Sequence, residues 1–405
     1  MNLENLAAYL QRTKPMNRRD ALGVAAKTGV ALSVAGAGLS GGTAQAAARP
    51  ATGNASPSPG EGDEMFDVAA VENGAWAPGP YGPDDQRGAF NEVTPAKTAR
   101  ALRLLDDRRP VKTYNLGDLM FNGYPAYVTT PERVYEQRLV VLGYQPPPEF
   151  FAEEGILQSP TPMGPNRISA HEERFPRSGT YQIATQLDNL AHVGVGRMFY
   201  NGFTGPEIAA GYGTTKLGGE HMGPIVTRGL VVDVLGLKVA TDATGDYFVA
   251  DNGEPVLNDN YRITVEDIEA ALDRQGVRGP TPGDVVLFRT GWHNLVRVDP
   301  ERYLANEPGI YLREARYLAK HRPAIVGGDA WALETLNEDV NQGNLFPVHQ
   351  ELLGRFGIRI GEGIITDALV ADGVFECVYM YAPQFAKGAT AANSAPAALA
   401  QPRRR

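Results

Sequence analysis

The sequence is poor in the residues that do most protein chemistry. It holds one cysteine, six histidines and three tryptophans in 405 residues. With only Cys377, no intrachain disulfide and no thiolate metal cluster can form. That cysteine lies in the apolar run Val374-Phe375-Glu376-Cys377-Val378-Tyr379, which predicts an inert thiol buried in a strand. An excess of positive charge is also missing. There are 38 basic and 47 acidic residues, a formal charge of -9. Residues 1–48 hold five of the basic side chains and two of the acidic, so the remainder is more acidic still. This balance excludes nucleic acid or an anionic membrane as the main partner. At 43% hydrophobic and 21% charged, the chain is neither disordered nor collagen-like, and it is long enough for a large core.

Long uninterrupted apolar runs are lacking too. Ala21–Ser40 is rich in Ala and Gly and is broken by Lys27, a poor fit to a bilayer core, and no stable membrane insertion is expected. Preceded by Arg18-Arg19 and followed by Ala44-Gln45-Ala46, it reads instead as a secretory signal over 1–48, of twin-arginine type, although no Phe follows the pair. Such export delivers a folded protein to the periplasm or beyond. Residues 49–64 are Pro, Ser, Gly and acid and read as a disordered linker. Residues 65–390 read as one domain, and 391–405 as a flexible tail ending in three arginines.

Within 65–390 strands alternate with helices, which predicts an α/β fold. Thr94-Pro95 caps a helix, and Thr264-Val265-Glu266-Asp267 is a capping box for a helix ended by Gly276. Strands are expected at 112–116, 138–142, 228–235, 285–290, 324–326, 358–360 and 375–381. Helices are expected at 311–321 and 349–356. Residues 143–181 read as a long loop of the kind that shapes a site.

The six histidines can be weighed singly. His321 ends a helix, where a cation meets the helix dipole. His293 follows Gly291-Trp292 and reads as packed on that indole, and His171, beside two glutamates, reads as solvated. His192 closes Gln182-Ile183-Ala184-Thr185-Gln186-Leu187-Asp188-Asn189-Leu190-Ala191-His192. In an extended segment Gln182, Gln186 and Asp188 fall on one side, and a turn after Asp188 returns His192 to the carboxylate. Two amides, a carboxylate and an imidazole on one surface suit a hard-metal or hydrolytic site better than a core face. His349 begins a helix, and Glu362 follows the next strand between two glycines; helix and returning strand can bring both to one sheet edge. His221, in Gly218-Gly219-Glu220-His221-Met222-Gly223, reads as a loop imidazole facing a pocket.

These residues resemble a family. Asp188-x-x-x-His192 is similar to the end of the metal-dependent cyclase signature His-x-Gly-Thr-His-x-Asp-x-Pro-x-His, found in kynurenine formamidase and isatin hydrolase. Asn91-Glu92-Val93-Thr94-Pro95, Thr113–Gly117, Gly283–Trp292, Gly328–Glu334, the His349 and Glu362 pair, and Gly388-Ala389-Thr390 resemble further family segments in order. The sequence departs from the signature at Gln182 and Gln186, which replace its two leading histidines, and at Ala184 and Leu190. The resemblance implies a cyclase-like swivelling β/β/α fold, a mixed sheet flanked by helices. It implies a divalent ion, Mn²⁺ or Zn²⁺ and possibly Mg²⁺, on Asp188, His349 and Glu362, with Gln182 and Gln186 as weak ligands or hydrogen-bond donors. No nucleotide cofactor is implied. His192 becomes the general base and acid, with His221 as a second catalytic imidazole. Asp329 and Thr185 become supporting residues. From the residues alone, Trp292, Trp331 and Phe199, with Phe121, Tyr124, Tyr127 and Tyr200, are candidates to line a substrate pocket, with core packing as the alternative for each. The implied activity is hydrolysis of a small amide, lactam or lactone by a homo-oligomer, a dimer or tetramer. Two alternatives stand beside it: a cyclase or dehydratase on the same fold, and a pseudo-enzyme that only binds a small metabolite.

Overall fold

The computed structural model describes residues 62–177 and 179–402. The signal segment, most of the linker and the terminal arginines lie outside the described residues. A nine-stranded mixed sheet organises the chain. Its order is β1 (Lys112–Asn115), β16 (Ala397–Ala400), β14 (Glu376–Tyr381), β8 (Ile225–Val232), β11 (Val285–Phe288), β12 (Ile325–Gly328), β13 (Arg359–Glu362), β5 (Gln186–Asp188) and β15 (Ala391–Ala392). The central four, β8, β11, β12 and β13, run parallel, and the outer strands are antiparallel. Three small sheets complete the fold: β2 (Arg138–Leu142) between β3 (Ile156–Ser159) and β4 (Ala170–Arg174), β6 (Ala209–Ala210) with β7 (Gly213–Thr214), and β9 (Tyr247–Val249) with β10 (Pro255–Leu257).

The parallel strands are apolar on both faces because crossover helices cover them. Val286, Phe288, Val326 and Ile360 pack into one cluster with Ile268 and Leu272 of helix Val265–Gln275 and Leu312, Ala315 and Leu318 of helix Leu312–Ala319. Val285, Leu287 and Ile325 alternate to the opposite face, with Leu116, Tyr379 and Leu369. The capping box forms as expected: Thr264 accepts the N–H of Asp267 at 3.2 Å, Asp267 accepts that of Thr264 at 3.1 Å, and Gly276 closes the helix at φ +65°. Between β12 and β13 the backbones approach so closely that a Cβ on Gly327 would lie 2.3 Å from the carbonyl oxygen of Gly361. Gly327→Ala is therefore expected to lower stability by about 1–3 kcal/mol through overpacking, read from a denaturation midpoint. An unchanged midpoint would show that the strands can part.

Several expectations need correction. Residues 391–392 and 397–400 are strands of the main sheet rather than a flexible tail; the small side chains of Ala398 and Ala400 fill the space between β1 and β14. The linker also ends earlier than residue 64, because Asp63 is buried against Arg262. Residues 143–181 are not a bare loop: they carry helix Pro148–Ala152, β3 and β4. The strand expected at 228–235 lies at 225–232, since Asp233 caps a helix that begins at Val234. Among the described residues no helix is long and apolar enough to cross a membrane.

Candidate metal centre

The carboxyl ends of the parallel strands gather the polar residues. Glu362 is the last residue of β13 and pairs directly with Gln186 on β5, while Ile360 pairs with Asp188. Residues 186 and 188 share a face because strand side chains alternate, so Gln186, Asp188 and Glu362 converge. His349 comes from the crossover between β12 and β13, at the end of the short helix Pro347–His349, where it runs into a π-helical turn, Gln350–Arg355. One ligand atom from each of Asp188, His349 and Glu362 lies within 4.8 Å of the others, and all three are buried.

The two glutamines act as donors. Gln182 Nε2 donates to Asp188 Oδ1 at 2.9 Å, and Gln186 Nε2 donates to Gln182 Oε1 at 2.9 Å and to Glu362 Oε2. Ala184, at φ +56°, kinks the chain, so Gln182 is not on the strand, yet its amide still meets Asp188. His349 Nε2 sits 3.2 Å from Glu362 Oε1 and 3.6 Å from Asp188 Oδ2. Its Nδ1–H donates to Glu334 Oε1 at 2.5 Å. Glu334 also accepts the N–H groups of Val348 (3.0 Å) and His349 (3.1 Å), so it anchors both the ring and the start of its helix. Thr185 donates to the carbonyl of Gly363 at 2.6 Å and fixes the turn after Glu362.

The electrostatics suit a divalent cation. Burial opposes a charged ring at His349, but the carboxylates of Asp188, Glu334 and Glu362 outweigh it and hold its pKa well above the ordinary value. Burial, then Asp188, pushes Glu362 up to about 7. Asp188 stays below its usual range despite burial, held there by His192 and His349. Asp188 Oδ2 and Gln186 Oε1 are buried acceptors without a hydrogen-bond partner. Carboxylate and imidazole donors with one unsatisfied carboxylate oxygen are what a divalent ion requires, so the residues present fit one. His192 lies outside this set, its Nε2 3.8 Å from Asp188 Oδ2 and its side chain 21% exposed. Burial pulls its pKa down, which favours the neutral ring.

Beside the cluster is a shallow pocket, open to solvent, lined by Tyr124, Tyr127, Arg133, Gln182, Trp331 and Glu362, among others. Trp331 stacks on Tyr127, with ring centroids 5.2 Å apart. Other expected residues stand elsewhere. Trp292 is fully buried, its indole N–H donating to the carbonyl of Tyr303 at 3.1 Å, so it is core rather than pocket wall. Phe199 packs beside a different hollow with Val71 and Trp76, and Tyr200 donates to Asp85. Asp329 supports no member of the cluster. It accepts from the N–H of Thr290 (2.9 Å) and of Gly291 (2.7 Å) and holds the turn after β11. His293 is not packed on Trp292 alone: it sits between Asp329 and Asp367, at 3.3 and 3.1 Å. His221 is on the turn Gly219–His221, 4.0 Å from Glu220, whose carboxylate is drawn away to the N–H of Gly388. It is not part of the cluster.

Sequence reasoning missed three residues: Glu334, Glu307 and Arg133. Glu334 stood inside a segment that resembles the family, but nothing there tied it to His349. Glu307 is fully buried, accepts the N–H of Ala332 at 2.8 Å, and has its pKa raised well above the ordinary range by burial and then by Glu362. Glu334→Gln keeps the shape but removes the anionic acceptor at Nδ1. It is expected to weaken binding of a divalent ion about 10–100-fold in a metal titration, and an unchanged affinity would remove Glu334 from this role.

Comparison with known proteins gives a consistent family. The cyclase family model matches residues 137–335. A crystal structure described as a novel cyclase is 28% identical, with a TM-score of 0.62, over 79% of this chain and 98% of that one. Isatin hydrolase A from Ralstonia solanacearum is 15% identical, with a TM-score of 0.47, over 76% of this chain and 95% of its own. An isatin hydrolase bound to the product analogue thioisatinate is 13% identical, with a TM-score of 0.46, over 72% and 93%. No curated protein matches the sequence.

Proposed function

We propose, because the cyclase family model matches residues 137–335, that the protein is a metal-dependent hydrolase that cleaves a small amide, lactam or lactone. The observation that carries this reading is the convergence of Asp188, His349 and Glu362 beside a neutral His192 at the edge of a pocket. Asp188, His349 and Glu362 would hold the ion, Mn²⁺ or Zn²⁺ or, given its oxygen-rich ligands, Mg²⁺. When bound, it supplies Lewis-acid polarisation of a carbonyl and a lowered pKa for water.

The protein's own residues do the rest. His192, uncharged, takes a proton from the attacking water and passes it to the departing nitrogen or oxygen, so that the acyl bond breaks as the new carbon–oxygen bond forms. Gln182 and Gln186 hold two carboxylates at fixed angles through N–H donors. Where an imidazole would be a ligand, these amides orient ligands instead. Tyr127 and Trp331 offer a flat apolar wall for the substrate. The paired arginines and the small-residue site at 44–46 place this activity, in our proposal, outside the cytoplasm.

The test is metal analysis joined to product mass. Protein purified with Mn²⁺, Zn²⁺ and Mg²⁺ supplied is expected to retain an ion. It is also expected to convert a member of a panel of aryl amides, lactams and lactones to a product heavier by one water, and to lose that activity on chelation. A product lighter by one water would favour the dehydratase. Protein that holds no ion and is indifferent to chelation would favour the binding protein.

A further inference from the structure

Arg133 has no carboxylate partner although its neighbours do. Glu132 pairs with Arg177 at 2.5 Å, Glu136 with Arg138 at 2.8 Å, and Arg138 also with Glu154. Among the described residues the Arg133 guanidinium makes no hydrogen bond or ion pair; it lies over the face of Tyr127, 5.8 Å from the ring centroid, and its charge reaches Glu362 and His192. The side chain is half-buried and lines the pocket together with Gln182, Gln186, Trp331 and Glu362. From it an aromatic shelf leads inward. Tyr127 stacks on Trp331, Phe346 meets both edge-on, and Phe346 lies 5.3 Å from the His349 ring. The pocket thus brings a guanidinium, the Glu362 side of the acidic cluster and aromatic rings around one space.

A partly desolvated guanidinium with no hydrogen-bonded counter-ion is incomplete. Its planar fork matches a carboxylate with two parallel hydrogen bonds, and it does so while stacked on a ring. The facing groups do not satisfy it. The Gln182 and Gln186 amides are turned to Asp188 and Glu362, and Glu362 is engaged by Gln186 and His349. The pocket is open to solvent on one side, so a ligand can reach Arg133 and Tyr127 from outside.

We infer that Arg133 selects an anionic aromatic substrate, gripping a carboxylate on the ring while the ring lies on Tyr127 and Trp331. The chemistry at the acidic cluster rests on the hydrolase reading above; the preference for an anion does not.

The experiment measures binding of benzoate and of its neutral isostere benzamide by calorimetry. It uses the full-chain protein as purified, the wild type and the variants Arg133→Gln and Arg133→Lys. Wild type is expected to bind benzoate about tenfold or more tightly than benzamide. Arg133→Gln should weaken benzoate about tenfold or more relative to wild type and leave benzamide unchanged, and Arg133→Lys should lose less. Any carboxylate affinity of a resident ion is common to all three proteins and cancels in the comparison. Equal binding of the two ligands by wild type would overturn the inference, as would wild-type affinity for benzoate in Arg133→Gln. A variant that weakens both ligands alike would also overturn it, because Arg133 would then only support the pocket. KM separates the two readings. With formanilide and 4-formamidobenzoate as the substrate pair, Arg133→Gln should raise KM for the acid alone. An intact benzoate preference without any turnover would sink hydrolysis and spare Arg133, and turnover with no such preference would do the reverse.

Discussion

Asp188→Ala is expected to lose both the bound divalent ion and all measurable turnover, whereas His192→Ala is expected to keep the ion and lose turnover by about 10² to 10⁴ fold. The two side chains are 3.8 Å apart, and their environments separate their roles. Asp188 is fully buried, with one oxygen held by Gln182 and the other open toward His349 and Glu362. Removing it deletes a ligand and also frees the Gln182 amide that sets its angle. His192 remains partly exposed, and burial lowers its pKa below the ordinary 6.5 despite the opposing pull of Asp188. A base is competent when neutral, so the rate should fall as pH drops through a limb below 6.5, and that limb should be missing in His192→Ala. Metal content by mass spectrometry and rates across pH check both statements. Asp188→Asn is the useful control, since it can keep a contact with Gln182 but not the charge. Equal ion loss from the Asp188 and His192 variants would make His192 a ligand and remove it as the base.

The strands and helices of the C-terminal half were legible because their signals are local. Thr264, Asp267 and Gly276 mark a helix by its ends, and the Val285–Phe288 run marks a buried strand by composition. The convergence of Asp188, His349 and Glu362 was legible through spacing and resemblance together. Strand alternation put 186 and 188 on one face, but only the pairing of β5 with β13 shows that Glu362 stands opposite Gln186. What stayed hidden depends on contacts between distant segments. Nothing in the sequence says that Trp292 is wholly buried while Trp331, whose indole N–H donates to the same carbonyl of Tyr303, lines the pocket. Asp329 looked like a support for the site because Gly328–Glu334 resembles a family segment, yet the turn after β11 uses both its oxygens. Ala391–Ala400 looked like a tail because alanine and serine carry little strand signal. Its order comes from the edges of β5, β14 and β1, which need partners.

The largest expected effect on stability is at Arg262. Its guanidinium meets Asp63 through two hydrogen bonds, at 2.7 and 2.8 Å, and Glu314 at 2.9 Å, and all three side chains are almost wholly shielded from water. Burial opposes the charge on Arg262, but the two carboxylates more than restore it. Glu314 also accepts the N–H of Tyr311 and so closes the first turn of helix Leu312–Ala319, whose apolar face packs under the parallel strands. The cluster joins residue 63, at the start of the described chain, to the crossover between β11 and β12. Arg262→Met is expected to cost about 3–5 kcal/mol, because two buried carboxylates lose their counter-charge. The triple variant Arg262→Met, Asp63→Leu, Glu314→Met is expected to recover much of that loss, since it leaves no buried charge uncompensated, although it gives up the cap on Tyr311. Denaturation midpoints for the single and triple variants decide the matter. A single variant within about 1 kcal/mol of the wild type would mean that water reaches the cluster once the cation is gone. In that case residues 62–64 are held by the Arg316 guanidinium on the carbonyl of Gly62 and the Arg313 N–H on the Asp63 carboxylate rather than by Arg262.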